Sequence, residues 1–405
     1  MGWCCNCLAA VSAELARALL PPRAPPRPCS AGGGAARRQR HRQDQRAGSA
    51  VAADARPRPP RRARLADILH SGPAGTAATW SVEARLHDAA GPADIATSFA
   101  GDAGETRERR RISIDGETAR DRGRLAEAAA LIWLTPEMDR LFSESPSARR
   151  RFLDRLVWGT DPGHARRVGA YERALQQRSA LLRQDRPDAV WLGALEATMA
   201  EHAIAVAAAR KQAAAQLSAI AEAQAGMFPG ASVAIRGAVE DWLDEVPALA
   251  AEDRLRAELE KARAADARSG GAGVGPHRSD LRVLHRASGR PAELCSTGEQ
   301  KMLLIALVLA GARLQRRERG TSPLLLLDEV IAHLDERHRR AVFDAVAAMQ
   351  AQAWYAGCDG APFRPLQGAA QIVPLGEAPL PPPDDGAGKR CEKLSIGEHS
   401  METGR

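Results

Sequence analysis

The chain has 405 residues, enough for two or three domains and a substantial core. Its formal charge of +7 is unevenly spread: residues 1–64 hold thirteen arginines against Glu14, Asp44 and Asp54, so the remainder is slightly acidic and the basicity belongs to one segment. No apolar run reaches the roughly 18 residues of a membrane span; the seven cysteines show neither a disulfide framework nor a completed zinc site, and Cys4, Cys5, Asn6 and Cys7 interrupt the apolar N-terminus, so a cytoplasmic protein is the expectation.

Residues 1–60, rich in Pro, Arg, Ala and Gly, have the composition of a disordered basic segment. From Trp80 to Glu117, "WSVEARLH", "DIATSFA" and "RRRISIDGE" predict antiparallel strands joined by polar turns. "LIWLTP" predicts a buried strand stopped by Pro136, and Ser147 to Trp158 a helix with Phe152, Leu153, Leu156 and Val157 on its apolar face. From His164 to about Arg268, apolar residues recur at three- and four-residue spacing. This predicts a helical lobe, broken at Arg186-Pro187-Asp188 and Phe228-Pro229-Gly230. The glycine-rich "RSGGAGVGPHRSDLRVL" then leads into a strand. A helix at 299–313, a strand at 324–327, a helix at 336–350 and the strand "QAWYAG" follow. That β-α-β-α-β order predicts a largely parallel, buried sheet. After Pro374 the composition again suggests disorder.

Two stretches carry chemistry. Leu324–Leu327 ends on Asp328 and Glu329, at the carboxyl end of a buried strand, where parallel sheets bind ligands. There Asp328 would hold Mg²⁺ through water, and Glu329 would orient or deprotonate an attacking water. The plainer reading is an acidic helix start favoured by the helix dipole. Asp335 in "AHLD" repeats the acidic theme near that edge. The second stretch is "CSTGEQKMLLIALVLAGARL". Ser296 and Glu299 have capping-box spacing, and the same geometry offers free N–H groups to a phosphate, with Gly298 allowing close approach.

Ser296, Thr297, Gly298, Glu299, Gln300 and Lys301, followed some thirty residues later by an apolar strand, Asp-Glu and "AHLD", resemble the ABC-type ATPases of the SMC-like group. "LTPEMDRLFSESPSARRRFLDRL", "GPHRSDL" and "STGEQK" narrow the resemblance to the RecF family of bacterial DNA repair proteins, from about Arg61 to about Leu375. The resemblance implies an α/β ABC-type ATPase head with a mixed sheet and an inserted α-helical lobe. The head would comprise 61–160 and 269–376, the lobe 161–268, with 1–60 anomalous and 377–405 a tail. It also implies ATP and Mg²⁺ as cofactors, with Asp328 on the metal, Glu329 as the hydrolytic base, and Ser296, Thr297, Gly298, Glu299, Gln300 and Asp335 near the nucleotide. One protomer's signature closing on its partner's ATP implies an ATP-gated dimer. The implied partners are gapped DNA or single-strand/duplex junctions, together with RecO and RecR. Candidate DNA-facing residues are Arg149, Arg150 and Arg151, and Arg109, Arg110 and Arg111, although such runs are often solvated faces. Cys358 stands where the family more often has threonine.

One part of the pattern is missing. A phosphate loop requires G-x-x-x-x-G-K-[ST]. Of the five lysines only Lys389 follows a glycine, and Pro383 occupies the first glycine's position. If Arg37 to Arg46 is encoded with CGG for Arg, CAA for Gln, CAC for His and GAC for Asp, a one-base shift turns "RRQRHRQDQR" into G-x-N-G-T-G-K-T-N, a complete loop. Two readings stay open: a segment of about 30–60 read out of frame, or a native basic tail on a DNA-binding or scaffold protein that has lost ATP binding.

Overall fold

The computed structural model describes residues 71–72, 75–76, 79–88, 91–100, 109–118, 130–223, 226–332 and 334–371. The basic segment 1–60 and the tail 377–405 lie outside the described residues. The chain divides into two compact units. In the smaller, β1 (Ser71–Gly72) pairs antiparallel with β2 (Gly75–Thr76). The larger holds residues 81–97 and everything described from Arg111 onward.

The alternating segments form a four-stranded sheet of β3 (Thr79–Asp88), β4 (Gly91–Ala100), β5 (Arg109–Ile114) and β6 (Glu117–Thr118), in that order. An Asp-Gly turn joins β5 to antiparallel β6: Asp115 at φ 53 and Gly116 at φ 81 supply the left-handed pair that a tight hairpin requires. Ile95, Ile112 and Ile114 pack with Leu131, Trp158 and Leu326 of the following elements.

A second sheet is parallel throughout. β10 (Leu324–Asp328) lies between β7 (Leu131–Leu134) and β11 (Ala353–Ala356), with Leu327 opposite Leu134 and Tyr355. The expected order differs here in one respect. The strand after the glycine-rich connector, β9 (Asp280–His285), does not join this sheet; it pairs antiparallel with β8 (Ala231–Arg236). β8 lies within the region predicted as a helical lobe, directly after the break expected at Phe228-Pro229-Gly230. Its alternating burial is a period-two signal, hidden in the sequence by the long helices around it.

The helices are α1 (Pro146–Thr160), α2 (His164–Leu181), α3 (Ala189–Glu222), α4 (Ala238–Glu245), α5 (Ala248–Lys261), α6 (Arg263–Ser269), α7 (Thr297–Arg319) and α8 (Glu336–Ala348). α3 has 34 residues and so runs about 50 Å. Its first half (Leu192, Leu195, Met199) shares a core with α2, α4 and α5; its second half (Ala213, Leu217, Ala221) packs with β8, β9 and α7. Serving two cores leaves α3 apolar on several faces. At α7, Met302 to Leu309 are all buried, as expected of an almost uniformly apolar helix at the centre of a layered fold.

Charged residues inside the helical lobe are paired. Arg178, fully buried on α2, donates to Glu196 at 2.9 Å, Asp266 at 2.7 Å and the carbonyl of Leu259 at 2.5 Å. The "GPHRSDL" block forms a junction. Gly275 adopts φ 138 where a side chain would collide with the Tyr171 hydroxyl. His277 Nδ1 lies 2.6 Å from that hydroxyl, and its Nε2 lies 3.0 Å from the carbonyl of Ala272. Burial lowers the His277 pKa to about 4, so the ring is neutral at pH 7, donating through Nε2 and accepting at Nδ1.

Candidate active site

The parallel sheet brings the ends of β7, β10 and β11 to one edge, and Asp328 is the last residue of the central strand. Its side chain is buried, and Oδ1 has no hydrogen-bond partner among the described residues. Burial, and secondarily the charge of Glu329, raises its pKa to about 6. A buried carboxylate with an orphaned oxygen fits a hard divalent cation, which supplies the missing partner and removes the electrostatic penalty. No cluster of three or more His, Cys, Asp or Glu that could hold a metal occurs among the described residues. A Mg²⁺ here would therefore complete its shell with water and ligand phosphate, its usual mode in nucleotide sites.

Glu329 follows with φ 52, a left-handed conformation for a residue that is neither glycine nor asparagine. Such a residue costs about 1–3 kcal/mol and persists only where its surroundings fix it. Glu329 N–H donates to the carbonyl of Ala356 at 3.0 Å, and its own carbonyl accepts from Ala332 N–H at 3.2 Å. Its carboxylate Oε1 accepts from the backbone N–H of Cys358 at 3.0 Å and from the Cys358 thiol at 2.9 Å. The strained turn aims the second acid away from the strand while β11 holds it.

The signature caps α7. Ser296 Oγ accepts from Glu299 N–H at 3.3 Å and Glu299 Oε2 from Ser296 N–H at 2.7 Å, a complete capping box. Hydrogen bonds from Ser296 to the Glu299 carboxylate lower its pKa. Thr297 is the first helical residue, and a Cβ on Gly298 would meet nothing within 4 Å, so that side of the turn is open. Gln300 is held by the carbonyl of Cys295 at 2.9 Å and by Ser143 Oγ at 3.3 Å. Sequence reasoning missed the link between the two motifs. Lys301, nearly buried, donates at 3.2 Å both to Asp139 after β7 and to the carbonyl of Ala332, three residues past Glu329. A lysine set inside an apolar helix was the available signal, because a buried ammonium needs acceptors.

Asp335 caps α8, accepting from His338 N–H at 2.8 Å and pairing with His338 Nδ1 at 2.8 Å; these interactions lower its pKa. The arginine candidates separate. Arg149 forms a bidentate pair with Asp280 at 2.8 and 2.9 Å and donates to the carbonyls of Phe142 and Glu144. Arg150 donates to the carbonyl of Ser279 at 2.5 Å. Both guanidiniums are committed to the fold, whereas Arg151 and Arg111 are exposed. Arg109 and Arg110 belong to β5, but their side chains lie outside the described residues.

A pH prediction follows from Asp328. Its pKa is higher folded than unfolded, so the folded chain binds this proton more tightly. The associated stability is fully present below about pH 4 and is lost as pH rises through about 6. Asp328→Asn is therefore expected to raise unfolding free energy by about 1–3 kcal/mol near pH 8, with little change near pH 4. Denaturant midpoints at both pH values check this; an equal shift at both would assign the effect to packing.

No protein-family model matches the chain. It is 41% identical over 327 residues to the DNA replication and repair protein RecF of Mesorhizobium japonicum, covering 80% of this chain and 85% of that protein. It is 43% identical over 316 residues to the protein of the same name from Rhizobium meliloti, covering 77% and 83%. Among solved structures, the recombination mediator protein RecF with ATPrS, described in the RecFOR pathway, superposes with a TM-score of 0.62 at 18% identity. The overlap covers 71% of this chain and 76% of that one. Its ATP counterpart gives a TM-score of 0.61 at 19% identity. These two likenesses concern the fold, an α/β architecture of the ABC-ATPase kind.

Proposed function

Since the chain belongs to the RecF family of DNA replication and repair proteins, we propose that its architecture is that of an ATP-gated dimer acting on gapped DNA or single-strand/duplex junctions with RecO and RecR to load recombinase, and that the chain as written binds ATP poorly. The observation that carries the first half is Glu329, held at φ 52 immediately after buried Asp328 at the carboxyl edge of a parallel sheet.

In this reading Asp328 holds Mg²⁺, which neutralises phosphate charge when bound. Glu329 orients a water and accepts its proton as the water attacks the terminal phosphate. Cys358 fixes one carboxylate oxygen through two donors, which sets the direction of the other. Ser296–Gly298 of one protomer offers its helix start to the partner's nucleotide. Lys301 keeps that start in register with the turn after Glu329. The domain boundaries follow the same plan, with a head of 61–160 and 269–376 around a lobe of 161–268.

The second half rests on charge. Asp328 and Glu329 repel a triphosphate unless backbone N–H groups and a lysine offset it. The lysines among the described residues are engaged elsewhere: Lys211 with Asp244, Lys261 with Glu258, Lys301 with Asp139. Calorimetry in moderate salt tests this, comparing the chain with a version in which Arg37–Arg46 is replaced by the frame-shifted glycine-rich sequence. The altered chain is expected to bind ATP at least about 100-fold more tightly, as a phosphate cradle requires, and to dimerise with ATP by light scattering. In that version Ser296→Arg should abolish dimerisation and leave ATP binding intact. Micromolar, salt-resistant ATP binding by the unaltered chain would overturn the defect.

A further inference from the structure

α7 carries the signature at its start and a different arrangement at its end. Arg313, Arg316 and Arg317 stand at i, i+3 and i+4, which places three guanidiniums on one helix face. With Gly320, and with Ala348 and Met349 at the end of α8, they line a cleft of about 450 Å³. α7 ends just before β10 begins and α8 just before β11, so the cleft lies at the amino edge of the parallel sheet, opposite Asp328. Arg313 to Arg317 follow Ser296 by 17 to 21 residues along α7, which puts them about 26–32 Å from it.

Arg316 donates to the carbonyl of Met349 at 2.8 Å, and Ser322 Oγ donates to the same carbonyl at 2.7 Å, so the wall of the cleft is fixed. Arg313 and Arg317 have no hydrogen-bond or ion-pair partner among the described residues. The helix dipole accounts for arginines in the last turn. It does not account for Arg313, nearly two turns from the end and half-buried. Burial lowers the Arg313 pKa and no neighbouring carboxylate opposes it, so this guanidinium is desolvated without compensation. A half-buried, unpaired Arg313 beside an exposed, unpaired Arg317 on one cleft matches a bound anion, and their planar forks match phosphate oxygens.

We propose that this cleft binds the phosphodiester backbone of a nucleic-acid strand, with Arg313 and Arg317 each contacting a phosphate. It is a second nucleic-acid surface, remote from the nucleotide edge and independent of dimer closure. The proposal rests on the DNA-binding reading above. Phosphate rather than acidic peptide is favoured because three of the six lining residues are arginines and only Ala348 and Met349 carry apolar side chains, so the cleft selects its ligand by charge.

The test uses the full chain and a duplex oligonucleotide. Phenylglyoxal modifies exposed arginines, and mass spectrometry locates the adducts. DNA is expected to protect Arg313 and Arg317 at least fivefold while leaving exposed Arg183 and Arg186 reactive. Arg313→Gln with Arg317→Gln should weaken DNA binding about tenfold near 100 mM salt and reduce the salt slope by about two, the value for two lost phosphate contacts. Arg183→Gln with Arg186→Gln removes the same charge and should change affinity less than twofold. DNA binding without protection of Arg313 would overturn this site alone, whereas absence of any DNA binding would overturn the functional reading. Protection by pyrophosphate or an acidic peptide, but not by DNA, would make the cleft a site for those anions and overturn the proposal. Protection is measured on the unaltered chain, so the test survives a variant that fails to fold.

Discussion

Glu329→Gln, made in a chain whose phosphate loop has been supplied, is expected to lower ATP turnover about 100-fold or more while leaving ATP affinity within about threefold. The magnitude is that of losing a positioned general base. Glutamine keeps the volume and the carbonyl oxygen that can accept from Cys358 N–H and thiol, so the strained turn at φ 52 should survive. What it loses is the carboxylate that takes the proton of the attacking water. Single-turnover kinetics beside equilibrium nucleotide binding separate the two effects. Unchanged turnover would remove Glu329 from the chemistry and leave it a turn residue. A parallel loss of affinity would move its role to nucleotide or metal binding.

Arg178→Ala is expected to cost about 3–5 kcal/mol of lobe stability, the range for removing one partner of a buried ionic network. The side chain is fully buried, and its loss leaves the carboxylates of Glu196 and Asp266 inside the lobe. Glu196 keeps Arg263 at 2.5 Å and Asp266 keeps the N–H of Gly273 at 3.0 Å, which offsets part of the cost. By contrast, Arg256→Ala breaks a surface i,i+4 pair with Glu252 at 3.2 Å and should cost under about 1 kcal/mol. Hydrogen exchange across α2 and the first half of α3 reads lobe opening directly. Protection lost equally in both variants would mean that the buried network contributes no more than a surface pair.

The site was legible where chemistry and local pattern coincide. Leu324–Leu327 is a four-residue apolar run, too short for a helix and preceded by Pro323, which marks a buried strand, and an Asp-Glu pair at its end falls on the edge where a parallel sheet leaves strand ends open. Ser296 and Glu299 announce a helix start because the capping box is a four-residue, sequence-local device, and the structure contains it. The glycine-rich approach to β9 and the Asp115–Gly116 turn were equally local. The arginines were not. Arg149, Arg150 and Arg151 are adjacent in sequence, yet two are tied to the β9 region and one faces solvent, a division set by which side of α1 meets Asp280 and Ser279.

Sequence alone determined the existence of the strands and helices whose apolar periodicity or caps are self-contained, the Asp328–Glu329 and Ser296–Gln300 motifs, and the lack of a glycine-rich loop preceding a lysine. Tertiary structure alone decided partnership. It placed β7 rather than β9 beside β10, revealed β8 inside the helical region, joined Lys301 to the turn after Glu329, and gathered Arg313, Arg316 and Arg317 with the end of α8 into one cleft. The physical reason is range. Capping, turn and periodicity energies act over a few residues and are written in consecutive letters. Strand pairing and the satisfaction of a buried charge depend on groups that can lie a hundred or more positions apart, and these become neighbours only once the core has formed.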